Sequence, residues 1–490
     1  MPDRRRFVLF TLISFALLVS SMQGSTVSVA LPDMITSLNA PLRWVGWVIT
    51  IFTLAQAVSM PIAGKLSDEL GRRTVFVGGL VFFGLASVAA GMAPNVYVLI
   101  AARAVQGLAG GSLLPSAYGI VGDAFPTNRA QAIGMISSIF PIGSIIGPTL
   151  GGLIVERVWW RWTFYMNGPL IALVVAFALF VMPASARRGR RGIDTAGAVL
   201  MAIAVLGVVY ALTEVSQRDT APNLAVIAVS LAVAVVGTLF FLRVESRVAE
   251  PLVDLKLLRR REFAFMNTLN FFYGAGIFGL FSFIPLYAQV GYGMSHEESG
   301  ILLTPRAVMM ILASSGAAYL LPRTGYRKPI WLGLIGMTVS LVVLALGLHD
   351  VRIGGVAIPD FAYLSIIVGL SGLAFGFSGP AANNAAIELA PESIAAITGI
   401  RGMFRSLGGT LGTAVVVLVA SRGASEAAGL ETAFLGLALV NVVTMAFVLG
   451  IPDRVGTRGL TATPTTAPLP QASPVRVEQP AVRSRSRDPA

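Results

Sequence analysis

Gly143 to Gly152 reads GSIIGPTLGG, and this stretch decides how the rest of the chain is interpreted. Gly143, Gly147 and Gly151 recur every four residues in an apolar segment; Pro148 is predicted to interrupt the helix and Gly152 to close it. Small residues at this spacing leave a stripe of bare backbone along a membrane helix, against which a neighbouring helix can pack closely and pivot. The stretch therefore predicts a moving joint within a lipid bilayer.

The composition identifies the solvent in which this chain folds. Hydrophobic residues make up 55% of the chain, charged residues 12%, and the mean hydropathy is +0.78. A soluble chain of this length would not tolerate that balance, so the sequence predicts an all-α protein that crosses a membrane many times. About fourteen apolar stretches reach the roughly 20 residues that a span requires. They lie near 7–31, 44–63, 75–93, 96–121, 130–155, 162–183, 193–213, 222–242, 263–288, 299–321, 329–347, 361–388, 394–420 and 430–450.

The loop charges predict the orientation. An even number of helices places both termini on one side, and the loops on that side carry most of the lysines and arginines. Cytoplasmic loops carry this excess in membrane proteins, so we expect both termini in the cytoplasm and the chain in a cell membrane, the inner membrane of a bacterium. The opposite loops hold a short set of basic residues, namely Arg43, Arg157, Arg161, Arg218, Arg352 and Arg422.

The same residues exclude several classes of function. The net charge of +12 is spread over many loops, which fits contact with anionic lipid headgroups and no nucleic-acid partner. The chain has no cysteine, and His296 and His349 fall in predicted outer loops, where we expect solvated side chains and neither a metal nor a cofactor. It has no G-x-x-x-x-G-K-[ST] loop and no cluster of catalytic residues, so neither a primary pump nor an enzyme is expected.

An internal repeat organises the chain. An ungapped shift of 265 positions pairs glycines and prolines and sets Asp123 opposite Glu388 at equivalent helix ends. Parallel repeats of this kind build many transporters, in which two bundles rock about a site near the bilayer midplane. The paired residues are Gly107 with Gly372, Gly111 with Gly376, Pro115 with Pro380, Pro126 with Pro391, Gly134 with Gly399, Gly143 with Gly408 and Gly147 with Gly412.

The repeat predicts the domain organisation. Two six-helix bundles are separated by two inserted helices, a basic linker joins the second bundle, and a Pro/Ser/Thr-rich tail follows. The boundaries are 1–185 for the N-terminal bundle, 186–245 for the inserted helices, 246–262 for an amphipathic cytoplasmic linker, 263–451 for the C-terminal bundle and 452–490 for a disordered cytoplasmic tail.

Four motifs resemble those of a known family. GKLSDELGRR (64–73) matches the G-x-L-x-D-x-x-G-R-[RK] loop of the major facilitator superfamily, and RAVQG (103–107) is similar to its R-x-x-Q-G segment. GSIIGPTLGG resembles its antiporter motif, and WRWTFYMNGP (160–169) resembles the start of helix six in the fourteen-helix drug:proton antiporters. The resemblance implies the major facilitator fold with two inserted helices. It further implies a secondary active transporter that works by alternating access and exports hydrophobic or amphipathic compounds, drug-like or lipid-like, by proton antiport.

The loop between the second and third predicted helices is a candidate conformational latch. Its glycines allow a tight turn, and its charges can form and break pairs as bundles move. We expect Arg72 or Arg73 to meet Asp123, while Asp68 faces the amino end of the thirteenth predicted helix. Pro322 stands where the second half would carry the acid, so no equivalent latch is expected there. The latch residues are Gly64, Asp68, Gly71, Arg72, Arg73 and Asp123.

The proton site departs from the family pattern. The antiporters carry an acid in a segment like L-D-x-T-I-V-N-V-A-L-P, whereas this chain has MQGSTVSVALP with Gln23 at the acidic position. Glutamine releases no proton. Arg103 lies inside a predicted helix, and the resemblance implies that it takes part in coupling. Four alternatives stay open: coupling through Asp123 or Glu388 with Arg103, an anionic or lipid-like substrate, transport without protons, and a receptor or lipid sensor without transport. Three more arginines fall within predicted helices, Arg306, Arg401 and Arg405.

Polar residues within the predicted helices are candidates for the substrate cavity. An apolar cavity with few charges favours a hydrophobic small molecule or a lipid. We expect protons and membrane lipids as further partners, and a monomer as the assembly. Each candidate equally fits a hydrogen bond that joins two helices. The candidates are Gln23, Ser25, Ser28, Gln56, Asn270, Tyr273, Asn383 and Asn384.

Overall fold

The computed structural model describes residues 3–125, 129–182, 194–217, 221–248, 251, 255–353, 355–389, 394–451 and 453. Helices dominate this part of the chain, with one short hairpin in which Arg352 pairs with Ala357 and Ile353 with Val356. In chain order the elements are α1 (Asp3–Thr26), α2 (Leu31–Ser37), α3 (Leu42–Val45), α4 (Trp47–Leu70), α5 (Arg72–Gly91), α6 (Val96–Ala124), α7 (Arg129–Arg157), α8 (Trp162–Tyr165), α9 (Asn167–Val181), α10 (Thr195–Val215), α11 (Leu224–Glu245), α12 (Leu255–Leu258), α13 (Arg261–Phe281), α14 (Ile284–Tyr292), α15 (His296–Ile301), α16 (Thr304–Thr324), α17 (Arg327–Ala345), β1 (Arg352–Ile353), β2 (Val356–Ala357), α18 (Asp360–Leu389), α19 (Ile394–Arg422) and α20 (Glu426–Val448).

The all-α membrane fold is confirmed, but the number of spans is not confirmed in full. Long helical segments lie at each of the predicted apolar stretches in the described chain. Twelve of them are long and apolar enough to cross a membrane by length and composition, and α7 and α16 are outside that set. The chain is therefore a multi-pass membrane protein built on about twelve apolar helices.

Pro148, Pro285 and Pro305 act differently in their helices, and the first of them departs from the prediction. α7 runs unbroken through Pro148 to Arg157, so the predicted interruption at Pro148 and end at Gly152 are wrong. Within a membrane, the backbone must satisfy its own hydrogen bonds, and helices there tolerate proline. By contrast, Pro285 begins α14 and Pro305 begins α16, because proline fits the first turn of a helix, where its missing N–H is not needed.

The repeated halves pack their helices in the same way. α6 lies against α4 in the first half as α18 lies against α16 in the second. A Cβ atom on Gly111 would meet the carbonyl oxygen of Gln56 at 2.6 Å, and one on Gly376 would meet that of Met310 at 2.5 Å. Glycines that the sequence shift pairs therefore allow the same close approach of two backbones in each half.

The inserted helices lie beside the seam between the halves. α10 contacts both α4 of the first half and α19 of the second, and α11 packs mainly on α10. Trp47 Nε1 donates a hydrogen bond to Thr213 Oγ1 at 2.8 Å, and Arg422 Nε donates to the carbonyl oxygen of Val215 at 2.9 Å. The first helix of the pair therefore spans the seam, and the second faces outward.

Parts of the predicted domain organisation lie outside the described residues. In the predicted linker the structure describes a single helical turn, α12, and the tail is outside the described chain except for Asp453. The domain boundaries stay predictions.

Candidate functional site

The helix ends define two sides of the molecule. The basic side holds the turn between α4 and α5, with Arg72 and Arg73, and the turn between α16 and α17, with Arg327. The distal side, one helix length away, holds α2 with Asp33 and α15 with His296. The candidate residues divide between these two sides and the interior.

The glycine stripe packs inside the first half, against α1. A Cβ atom on Gly147 would meet the carbonyl oxygen of Met22 at 2.7 Å, and Thr26 Oγ1 donates a hydrogen bond to the carbonyl oxygen of Gly147 at 3.1 Å. Gly412 faces α13 in the same manner, with the Ala275 carbonyl oxygen 2.6 Å from the position of its Cβ. The stripe consists of Gly143, Gly147 and Gly151. Its spacing therefore allows helix contact within one half.

The other face of the same motif contacts the second half. Gly152 approaches the backbone of His296 so closely that a Cβ atom there would clash with its carbonyl oxygen. In the same way, Gly300 leaves no room for a Cβ atom beside the carbonyl oxygen of Pro148. Thr149 Oγ1 lies 3.1 Å from Thr304 Oγ1 and hydrogen bonds with it. At the distal side, therefore, the two halves meet through small residues on α7 and α15.

His296 joins the halves by charge. Its Nε2 lies 2.5 Å from Asp33 Oδ2 and its Nδ1 3.3 Å from Glu156 Oε2, both on the first half, and its backbone N–H donates to Glu156 Oε2 at 3.0 Å. The hydrogen bond to Asp33 is the main cause of the raised pKa of His296, and partial desolvation, which lowers this pKa, only reduces the effect. Arg157 and Glu297 form a weaker pair across the same seam at 3.9 Å. The prediction of a solvated loop histidine is therefore wrong.

On the basic side, the structure brings Arg72 and Asp123 together. Gly71 has φ +97°, a conformation that favours glycine, and this turn directs Arg72 toward α6. Arg72 Nη1 lies 2.6 Å from Asp123 Oδ2 and donates a hydrogen bond to the carbonyl oxygen of Gly119 at 2.5 Å. The side chain of Asp68 is outside the described residues, so its expected place opposite α19 stays a prediction.

The second half keeps the turn and one of its arginines. Arg73 Nη2 donates to the carbonyl oxygen of Leu179, at the end of α9, at 2.7 Å. Arg327 Nη2 donates at 2.8 Å to the carbonyl oxygen of Leu449, after α20, and the preceding turn contains Gly325 at φ +71°. In both halves a turn arginine therefore holds the end of the last helix.

Arg103 is buried in the first half and does not meet Asp123. Its Nε donates to the carbonyl oxygen of Val48 at 2.9 Å, its Nη1 donates to Gln106 Oε1 at 2.7 Å, and its guanidinium carbon lies 4.0 Å from the centre of the Phe52 ring. Asp123 is about 30 Å further along α6 at 1.5 Å per residue. The structure does not bring these two coupling candidates into one site.

The candidates on α1 form internal contacts. Gln23 is fully buried and accepts a hydrogen bond from Asn167 Nδ2 at 2.5 Å; Asn167 also donates to Ser87 Oγ at 3.2 Å. Ser25 and Ser28 donate to carbonyl groups of their own turn at 3.1 and 2.7 Å. The structure therefore places these three residues in the interior of the first half.

Two of the second-half candidates, Asn270 and Asn383, meet at Arg401, and a third, Tyr273, is paired elsewhere. Arg401 Nη2 donates to Asn270 Oδ1 at 3.2 Å, and Arg401 Nη1 donates to Asn383 Oδ1. The hydroxyl of Tyr273 is paired with Ser378 at 2.5 Å. The sequence singled out Arg401 only as an arginine in a helix; an arginine in an apolar segment was the signal that pointed to it.

The remaining candidates have fewer described contacts. Asn384 is exposed on α18, and Gln56 is half-buried on α4. A Cβ atom on Gly64 would meet Pro115 at an ordinary 4.0 Å. The side chain of Glu388 is outside the described residues.

Comparisons with known proteins agree on the family. The family model described as Major Facilitator Superfamily matches residues 13–413. The chain is 33% identical over 410 residues to the Multidrug transporter protein MdtP of Bacillus subtilis, covering 83% of this chain and 74% of that protein. It is 30% identical over 413 residues to the Tetracenomycin C resistance and export protein of Streptomyces glaucescens, covering 84% and 75%.

A solved structure shares the fold at low identity. A bacterial homologue of the human lysosomal transporter Spinster, in an inward-facing and occupied conformation, superimposes with a TM-score of 0.67 at 14% identity, covering 92% of this chain and 97% of that one.

Proposed function

The chain belongs to the major facilitator superfamily of transporters, and we propose that it is a secondary active exporter of hydrophobic or amphipathic compounds, driven by proton antiport. The relatives whose names include multidrug transport and antibiotic export support the choice of substrate and direction. The basic side is cytoplasmic in this proposal, because the lysines and arginines of the loops gather there.

The observation that carries the proposal is the seam at the distal side. Access from that side requires α15 and the start of α16 to separate from α7 and α2. The contacts between them are of a kind that breaks reversibly: backbone approach at Gly152, one hydroxyl pair and the ion pairs of His296. Two rigid halves that meet at such a seam can rock about a central site.

The proton site in this proposal lies away from α1. Gln23 has no proton to release, and its amide is paired with Asn167. Asp123 is an acid whose partner, Arg72, belongs to the turn at the basic side. In this proposal the pair of Arg72 and Asp123 breaks and re-forms as the halves move, which ties it to the conformation of that turn.

Transport by the full chain in sealed proteoliposomes tests the proposal. Flux of tetracenomycin C or another hydrophobic compound is measured with an imposed pH gradient, without one, and in protein-free liposomes. We expect flux that follows the gradient. Flux of equal size with and without the gradient would contradict proton coupling, and no flux of any compound would favour a receptor that does not transport.

A further inference from the structure

Three arginines of the second half lie within electrostatic range of one tyrosine. Arg306 on α16 and Arg401 and Arg405 on α19 all lie within electrostatic range of the Tyr273 hydroxyl. The Arg306 guanidinium carbon is 3.2 Å from the centre of the Phe281 ring. The second half therefore carries three positive groups whose charges act on the same tyrosine.

This cluster faces the space between the halves. Arg401 and Arg405 fall within the candidate span Ile400–Arg422, and Arg405 is about 16 Å along α19 from its first residue at 1.5 Å per residue. Arg405 is nevertheless exposed, and it lies within electrostatic range of Tyr118, on α6 of the first half. An exposed arginine at this depth is expected to face a water-filled space and not lipid, because an unpaired charge in contact with lipid is costly.

The cluster lacks negative charge. Among the described residues, no carboxylate forms an ion pair with any of the three arginines, and the hydrogen bonds of Arg401 go to the neutral amides of Asn270 and Asn383. Within the described part of the chain, the buried Nε atoms of Arg306 and Arg401 have no hydrogen-bond partner. Unpaired guanidinium groups inside a membrane are costly, so an arrangement of this kind is stabilised when an anion enters.

We propose that Arg401 and Arg405, about one helical turn apart on α19, form a binding subsite for the anionic group of an amphipathic substrate, a carboxylate or a similar oxyanion on a hydrophobic body. Guanidinium groups bind planar oxyanions through paired N–H donors, which suits this ligand chemistry. Phe375 is half-buried, its ring stacks on that of Tyr273 with centroids 5.1 Å apart, and it provides apolar surface in the same half. This inference rests on the proposed export function and names its substrate class.

Binding to the full chain in phosphatidylcholine nanodiscs tests the subsite without requiring transport. The probes share one fluorophore and differ in charge: dansyl-labelled undecanoate, its methyl ester, and the ammonium compound dansylcadaverine. We expect the carboxylate to bind about ten-fold more tightly than the ester, the gain typical of a hydrogen bond to a charged group. Arg401→Gln and Arg405→Gln should each remove most of that difference, whereas Arg405→Lys should keep part of it.

A matched control and a lipid arm complete the experiment. Arg422→Gln changes an arginine at the distal end of the same helix and should leave the preference for carboxylate unchanged. If phosphatidylglycerol competes with the carboxylate probe and Arg405→Gln removes this competition, the subsite is assigned to lipid headgroups. If phosphatidylglycerol does not compete, the subsite is assigned to soluble amphipathic anions. Equal binding of carboxylate and ester to the wild-type chain, or an equal loss of both in the glutamine variants, would overturn the subsite. Selective binding without any flux would keep the subsite and contradict export.

Discussion

Substituting Gly152 by alanine should shift the molecule away from the conformation closed at the distal side. The new methyl group would clash with the carbonyl oxygen of His296 and lie 3.2 Å from the Cα atom of Glu297, both on the second half. Overpacking of this kind costs about 1–3 kcal/mol, equivalent to a shift of roughly 5- to 150-fold. The strain exists only while the two halves touch, so Gly152→Ala should favour opening by that factor.

Thiol labelling measures this shift directly, because the chain has no cysteine of its own. Val29→Cys introduces a reporter at the distal side, where Val29 is fully buried and its carbonyl oxygen accepts a hydrogen bond from Gln289 of the second half at 3.2 Å. When opening is fast relative to labelling, the rate of reaction with a membrane-impermeant maleimide follows the open fraction. Gly152→Ala should increase that rate.

Gly151→Ala is the matched control. A Cβ atom there would meet the Thr26 carbonyl oxygen at 2.9 Å, within the first half, so its strain is present in both conformations. This variant should lower thermal stability and leave the labelling of Val29→Cys unchanged. An unchanged rate in Gly152→Ala, or an equal rise in both variants, would refute the reasoning.

Other contacts lead to further predictions. The pKa of His296 is raised by its carboxylate partners across the seam, so the ion pairs stabilise the closed state fully below the ordinary histidine pKa of about 6.5 and lose that effect as the pH rises through the raised value. The labelling rate, divided at each pH by that of a thiol exposed in both conformations to cancel the rise in thiolate, should therefore increase with pH, and His296→Gln should remove this dependence. Arg72→Gln and Asp123→Asn each break the ion pair between these two residues. Because the pair needs both members, a double-mutant cycle should show that the double variant loses about as much transport rate as either single variant. Gln23→Asp buries a carboxylate beside Asn167 and should reduce thermal stability near neutral pH more than at acid pH, where the carboxyl group is neutral. An equal loss of unfolding temperature, relative to the wild-type chain, at neutral and at acid pH would contradict this.

The sequence predicted the membrane helices well because a span requires a long apolar run, whatever its neighbours are. It did not predict that α7 continues through Pro148, since local propensity disfavours a proline there while the membrane favours an unbroken helix. The close approach of Gly147 to α1 followed from its spacing. The approach of Gly152 to the second half did not, because its partner, His296, is distant in sequence.

The charged residues were likewise predictable from the sequence where a motif indicates the pair, and not where the partners are distant in sequence. The motif led to the expectation of the Arg72–Asp123 contact, which the structure contains. His296 was predicted to be a solvated loop residue, because only the fold brings Asp33 and Glu156 to it. Gln23 was recognised from the sequence as a departure from the family pattern. The structure adds the group that pairs with it, the side-chain amide of Asn167.

Cross-linking the distal seam tests alternating access most directly. Thr149 and Thr304 place their hydroxyl oxygens 3.1 Å apart across the seam, so Thr149→Cys/Thr304→Cys should form a disulfide. Ala204→Cys/Gly237→Cys is the control, because a Cβ atom on Gly237 would lie 3.4 Å from the Cβ atom of Ala204 and both residues belong to the inserted helices. We predict that oxidation stops pH-driven flux in the seam pair, that a reductant restores it, and that the control pair transports in both states. Undiminished flux through a fully cross-linked seam pair would contradict the account.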